Sequence, residues 1–123
     1  MSIDVARSVK KMFVDGKWVE SESGQLFDAD SPATGEVIGQ IPKGTRADAG
    51  RAVEAAHKAK RSMARLKGFE RSTRLHKIAE TIAARREELG RLLTLDQGKP
   101  LIAEALGEVD EAAEYFRIAA EDL

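Results

Sequence analysis

Between Pro42 and Pro100 the chain has no proline, and across that stretch apolar residues recur every three or four positions. Proline would remove a backbone donor and clash with the preceding turn, so its absence permits long helices, and the spacing of the apolar residues directs them. Ahead of Lys43 the pattern is different: short β-prone runs are bent around turn-forming residues. The change of character at Lys43 constrains the chain to an α+β arrangement, two short β-hairpins followed by about four helices, with residues 43–123 mainly helical.

The strand region divides readily. Met12-Phe13-Val14 and Lys17-Trp18-Val19 flank Asp15-Gly16, a dipeptide that readily takes the positive φ values of a type I′ turn, so a tight hairpin is expected. Leu26 to Asp30 and Glu36 to Ile41 are expected to pair around Ser31-Pro32-Ala33-Thr34-Gly35, and Pro42 to close the strand region. Residues 1–11 mix charged with scattered apolar residues and read as a tail, frayed or forming a short first helix.

In the helical region, Thr45 followed three residues later by Asp48 has the form of a capping box, which places helix one at about 46 to 65. Its apolar side is expected to carry Val53, Ala56, Met63 and Leu66. Helix two is expected from about Glu70 to Arg86, with Leu75, Ile78, Ala79 and Ile82 on one face. Leu89, Leu92, Leu93 and Leu95 extend the apolar spacing to Asp96, where Gln97-Gly98-Lys99-Pro100 stops one helix and starts the next. In the last helix Ile102, Ala105, Val109, Ala112, Phe116, Ala119 and Leu123 form the expected stripe; it reaches the final residue without a capping residue, so the pattern is expected to run on.

Composition narrows the function classes. The 123 residues suffice for one domain, and 20 Lys and Arg against 21 Asp and Glu leave a net charge of −1, with no overall field to draw in nucleic acid or an acidic membrane. There is no cysteine, which excludes a disulfide framework, a thiolate metal site and a thiol nucleophile within these residues. Neither a signal peptide nor a long apolar run is present, so no membrane partner is expected and the cytoplasm is the expected compartment.

Local chemical motifs are weak. Gly98-Lys99 has Pro100 where a phosphate-cradling loop needs Ser or Thr for magnesium, and no G-x-G-x-x-G follows either strand pair. His57 and His76 lie among alanines, lysines and arginines of helices, and no serine has a nucleophile-elbow context. The carboxylates of Glu87-Glu88 and Glu108 to Glu114 read as solvated helix faces. The basic residues of the first two helices are interleaved with acids and lack aromatic partners, which argues against a nucleic-acid surface.

Three longer segments carry more. Phe13-Val14-Asp15-Gly16-Lys17-Trp18-Val19, Ser31-Pro32-Ala33-Thr34-Gly35-Glu36-Val37-Ile38-Gly39 and Thr94-Leu95-Asp96-Gln97-Gly98-Lys99-Pro100-Leu101 resemble, in order and spacing, the opening of the aldehyde dehydrogenase superfamily. The resemblance covers about residues 12–123. Leu92 to Pro100 with Gly107-Glu108-Val109 is most similar to the succinate-semialdehyde branch, while Lys60 and Met63 replace the aromatic residues common at the end of the first helix.

The resemblance implies that residues 12–123 form the N-terminal part of an α/β, Rossmann-type cofactor-binding domain, in an enzyme that oxidises aldehydes with NAD or NADP. In that family a cysteine thiolate captures the aldehyde, hydride passes to the nicotinamide, and a glutamate-activated water releases the acid. Those residues and the cofactor-binding strands lie downstream of the resembling segment. No catalytic or cofactor-binding residue is therefore carried over, and neither NAD nor NADP is expected to bind this chain alone. The resemblance also implies a monovalent cation near the carbonyls of Ala29 and Asp30 and the carboxylate of Asp96, oxygens that suit a hard ion. The alternative for Asp96 is local capping or pairing at a helix end. The expected partner is the remainder of a dehydrogenase or a homologous subunit. A non-catalytic helical interaction module, the complementing half of a split enzyme and a truncated product without a role are the other readings.

Overall fold

In a computed structural model of the chain, residues 9–123 are described, and the chain divides into two compact units, 1–65 and 66–123. The expected tail or first helix of residues 1–8 lies outside the described residues.

Among the described residues the first unit holds four short strands and one helix. Strands β1 (Met12–Val14) and β2 (Lys17–Val19) pair antiparallel in the register Met12↔Val19, Phe13↔Trp18, Val14↔Lys17. Asp15 (φ 53°) and Gly16 (φ 74°) both take left-handed backbone, the requirement of the type I′ turn expected from the sequence. Phe13 and Trp18 stack across the ladder with centroids 5.0 Å apart at 57°, a tilted pair worth about 0.5–1 kcal/mol on a hairpin this short.

Strands β3 (Leu26–Asp30) and β4 (Val37–Pro42) form the second antiparallel pair, with a register irregularity between Ala29 and Asp30. The loop closes on Ser31, whose N–H donates to the Glu36 carbonyl at 2.9 Å and whose carbonyl accepts from the Gly35 N–H at 2.7 Å. Strand β4 lies one residue later than the expected 36–41, and Pro42 is its last member instead of its terminator. The ladder explains why proline is tolerated. The Lys43 N–H bonds the Gln25 carbonyl at 2.8 Å, so the neighbouring Leu26–Pro42 pair falls in the position of an antiparallel ladder that needs no N–H.

Helix α1 (Arg46–Arg65) has the expected bounds but not the expected face. Val53 is 71% exposed and Met63 47% exposed, whereas the one buried residue of the helix is Asp48. A polar anchor, not the apolar stripe, orients this helix.

The second unit is helical: α2 (Gly68–Ala84), α3 (Arg86–Gln97), and α4 (Leu106–Glu121) preceded by a π-helical turn at Leu101–Ala105. Helix α2 starts two residues earlier than the periodicity suggested, because the Glu70 carboxylate reaches back to accept the Lys67 N–H at 2.8 Å. Helix α3 stops at Gly98 (φ 72°), whose N–H donates to the Thr94 carbonyl at 2.9 Å, the left-handed terminator that the Gln97-Gly98-Lys99-Pro100 run predicted.

In the π turn the Ala105 N–H reaches the Pro100 carbonyl at 3.1 Å, one residue further back than in an α-helix. That extra residue breaks the expected stripe of the last helix. Ile102 is 80% and Leu123 51% exposed, and the buried line runs instead through Ala105, Leu106, Val109, Ala113 and Ala120. Among the described residues no large side chain is fully buried, so the core is built by close approach of small residues. Helices α2 and α4 meet over this alanine-rich line, and Ala79 is the buried residue of α2. No helix among the described residues is long and apolar enough to cross a membrane.

Gly90 of α3 is where the approach is tightest. A Cβ there would stand 2.6 Å from Leu106 Cδ2 and 3.3 Å from Leu101 Cδ1. Replacing a mid-helix glycine by alanine gains about 1 kcal/mol of helix propensity, but overpacking a closed contact costs about 1–3 kcal/mol. Gly90→Ala is therefore expected to lower the melting temperature of the chain. A raised melting temperature in a calorimetric scan would show that Leu106 has room to retreat.

Candidate functional site

The most elaborate polar site of the first unit surrounds Asp48. Thr45 precedes α1 and Asp48 occupies its first turn, so the two satisfy each other's backbone. The Asp48 N–H donates to Thr45 Oγ1 at 3.1 Å, and the Thr45 N–H donates to Asp48 Oδ2 at 2.7 Å. This is the capping box expected from the sequence. The carboxylate also accepts from Thr45 Oγ1 at 3.0 Å and from two groups far away in the chain, Ser21 Oγ at 2.8 Å and the Glu22 N–H at 3.2 Å. Arg51, one turn along the helix, completes the set by pairing its guanidinium with Oδ1 while its other arm bonds Glu22 at 3.0 Å.

The hydroxyls around it divide their protons in one consistent way. Ser21 Oγ has a single hydrogen, and the ionised carboxylate is a stronger acceptor than the Lys43 carbonyl at the same 2.8 Å. Ser23 Oγ serves that carbonyl at 3.2 Å and accepts the Gln25 N–H at 3.2 Å. Ser21 and Asp48 are buried, 6% and 3% exposed. The Thr45 N–H, then the Ser21 hydroxyl and the Glu22 N–H, hold the Asp48 carboxyl far below the usual carboxylate range despite its burial, which acts the other way. Such a group cannot serve as a base near neutral pH; it stays ionised and fixes the 20–25 loop to the helix.

The residues tied to a cation by resemblance occupy different units. Ala29, half-buried, and Asp30, exposed, pair with Gly39 and Val37 on either side of the register irregularity, where the unopposed residue is Ile38 of β4. Asp96 is exposed in the last turn of α3, where the helix end is closed by backbone through Gly98. Among the described residues no group of three or more His, Cys, Asp or Glu is placed to hold a metal ion.

In the second unit the charged groups join helices. Arg86 grips Asp110 with two bonds of 2.7 and 2.8 Å, tying the start of α3 to α4; this bond holds the Asp110 carboxyl below its ordinary range and raises the Arg86 guanidinium. Lys99, only 16% exposed, bonds Glu108 at 2.5 Å across the π turn. An open groove of about 440 Å³ is lined by Ala83, Asp110, Glu111, Ala113, Glu114 and Arg117, with Arg117 already engaged by Glu114 at 3.0 Å. The Ser21, Glu22 and Arg51 contacts and the Arg86–Asp110 pair escaped sequence reasoning. Ser21 and Asp48 are 27 positions apart and Arg86 and Asp110 are 24 apart, and neither pair leaves a local signature.

Two hairpins leading into four helices, with the turn chemistry at Asp15-Gly16, Ser31 to Gly35 and Gly98, define the N-terminal part of an aldehyde dehydrogenase fold. The chain belongs to the aldehyde dehydrogenase family, whose family model matches residues 18–123. It is 41% identical over 107 residues to the glutarate-semialdehyde dehydrogenase of Pseudomonas aeruginosa, a match covering 87% of this chain and 22% of that protein. It is 34% identical over 113 residues to the NADP-dependent succinate-semialdehyde dehydrogenase of Escherichia coli, covering 92% of this chain and 23% of that one. Among solved structures, an NAD-dependent aldehyde dehydrogenase from Sinorhizobium meliloti superposes with a TM-score of 0.88 at 40% identity, over 96% of this chain and 24% of that one. The chain thus spans under a quarter of the length of the curated relatives it matches.

The Asp48 site sets an acid limit. Because the folded carboxyl is depressed below its unfolded value of about 4, its contribution to stability is fully present above that pH and declines as pH falls, when the unfolded chain takes up the proton first. Asp48→Asn is expected to lower the melting temperature by several degrees at pH 7, and the difference from the parent chain is expected to shrink steadily below about pH 4. A gap between the two melting curves that stays constant down to about pH 2 would contradict this assignment.

Proposed function

We propose that the chain is the N-terminal framework of an NAD(P)-dependent aldehyde dehydrogenase of the cytoplasm, and that it performs no oxidation by itself. The observation that supports this most is a family match running from residue 18 to residue 123 in a sequence that contains no cysteine. Oxidation in this family requires a thiolate to capture the aldehyde and a nicotinamide to accept hydride. What these residues do supply is shape: an anchored loop, two hairpins with defined turns, and a close-packed helical unit. The relatives named for glutarate and succinate semialdehydes favour a short semialdehyde as the substrate class of the parent enzyme.

Purified chain mixed with NAD or NADP and succinate or glutarate semialdehyde is expected to form no reduced cofactor above the protein-free rate. Steady formation that follows this chain through successive columns would overturn the proposal.

A complementing role has its own support in the apolar side chains left open. Val53, Phe69 and Tyr115 are each exposed by two thirds or more. Coexpressed with the downstream part of a semialdehyde dehydrogenase relative that lacks its own matching segment, the chain is expected to co-purify with it and restore activity. Separate elution of two folded, inactive proteins would contradict complementation while leaving the inactivity of the lone chain intact.

A further inference from the structure

Asp15 and Gly16 combine a reactive dipeptide with a backbone that restrains it. The chain contains no asparagine, and Asp15 is the one aspartate that precedes a glycine. With no Cβ to shield it, a glycine nitrogen reaches the carboxyl of the preceding aspartate more readily than the nitrogen of a larger residue does. Asp15 is also the only non-glycine among the described residues with a positive φ (53°), and Gly16 follows at 74° in the turn between β1 and β2. A type I′ turn, the mirror of type I, sets ψ of its first central residue at about +30°. In an L-residue that angle turns the Gly16 nitrogen away from the Asp15 Cβ, to the far side of the Cα–C bond from the carboxyl it would attack.

We propose that Asp15 is a site of backbone isomerisation to isoaspartate, and that the β1–β2 hairpin gates it. When the hairpin opens, rotation about the Cα–C bond brings the Gly16 nitrogen onto the Asp15 Cγ. The N–Cγ bond forms, the nitrogen loses its proton, and the carboxyl hydroxyl leaves with that proton as water, giving a five-membered imide. Water then adds to one of the two imide carbonyls. Opening at Cγ restores aspartate; opening at the main-chain carbonyl leaves the chain running through Cγ and the former main-chain carbon as a free carboxylate. One water is lost and one regained, with no oxidation, no added reagent and no change of mass. The product has an additional methylene in the backbone of a two-residue turn, so the Phe13↔Trp18 register is not regained. The gate is slight: each strand has three residues, and the Phe13–Trp18 ring pair at 5.0 Å is its cross-strand clamp. The reaction is internal to two adjacent residues, so it needs no partner and no particular placement of the two units.

Tryptic digestion after long incubation of the purified chain tests this. Cuts after Lys11 and Lys17 release Met12–Lys17, whose aspartate and isoaspartate forms have equal mass but separate on reversed-phase chromatography. Isoaspartate is expected to build up in this peptide at least about tenfold faster in the urea-unfolded chain than in the folded one. Trp18→Ala is expected to speed it about two- to fivefold in the folded chain and to leave the unfolded rate unchanged. Should Trp18→Ala disturb folding of the first unit, Phe13→Leu keeps an apolar side chain, removes the ring pair and is expected to act in the same direction. Equal rates in the folded and unfolded chain would overturn the proposal, because the turn would then restrain nothing. So would a folded rate that ignores loss of the ring pair, or an unfolded chain in which Asp15 does not isomerise.

Discussion

The first unit depends on one buried carboxylate. Asp48 is the single residue of α1 removed from solvent, and it accepts hydrogen bonds from its own cap, from a hydroxyl and an N–H of the 20–25 loop, and from a guanidinium one turn away. Its donors come from two parts of the unit, the start of α1 and the 20–25 loop, so one charge holds these two together. A buried charge with this many donors is stable in its ionised form, but losing any partner leaves the rest poorly compensated. That explains why α1 can leave Val53 and Met63 in solvent: the helix is positioned by its first turn and not by its apolar face.

The second unit solves the same problem by geometry. Its buried line is mostly alanine, and Gly90 leaves the space that Leu106 fills. Small residues let helix backbones come close, which replaces the bulk that large core side chains would provide. The two-armed Arg86–Asp110 bond and the Lys99–Glu108 contact then fix α4 against α3 and the π turn, although their partial exposure keeps each contribution modest.

Much of this was legible in the residues alone, and for identifiable reasons. The Asp15-Gly16 hairpin, the Ser31 to Gly35 loop, the Thr45–Asp48 box and the Gly98 terminator are local devices whose chemistry sits within four or five positions. The family could be read from the same segments, because turns and caps preserve order and spacing. Failures arose where the deciding contact was remote or broke the period. Ser21 finds Asp48 from 27 positions away, so the burial of a charged residue inside an apparently apolar helix face was not foreseen. The π turn inserts one residue ahead of α4 and turns Ile102 out to solvent, which a uniform 3.6-residue count cannot anticipate.

The central claim is that a single ionised side chain, fully occupied by donors, organises the strand-rich half of the chain. Carbon-detected NMR of the aspartate carboxyl groups during an acid titration measures it most directly. The Asp48 resonance should hold its ionised position through the range near pH 4 where exposed carboxylates of the same chain take up protons, and should move only as the fold is lost. A resonance for Asp48 that titrates with the others, in a chain that remains folded, would mean that the network does not hold its charge.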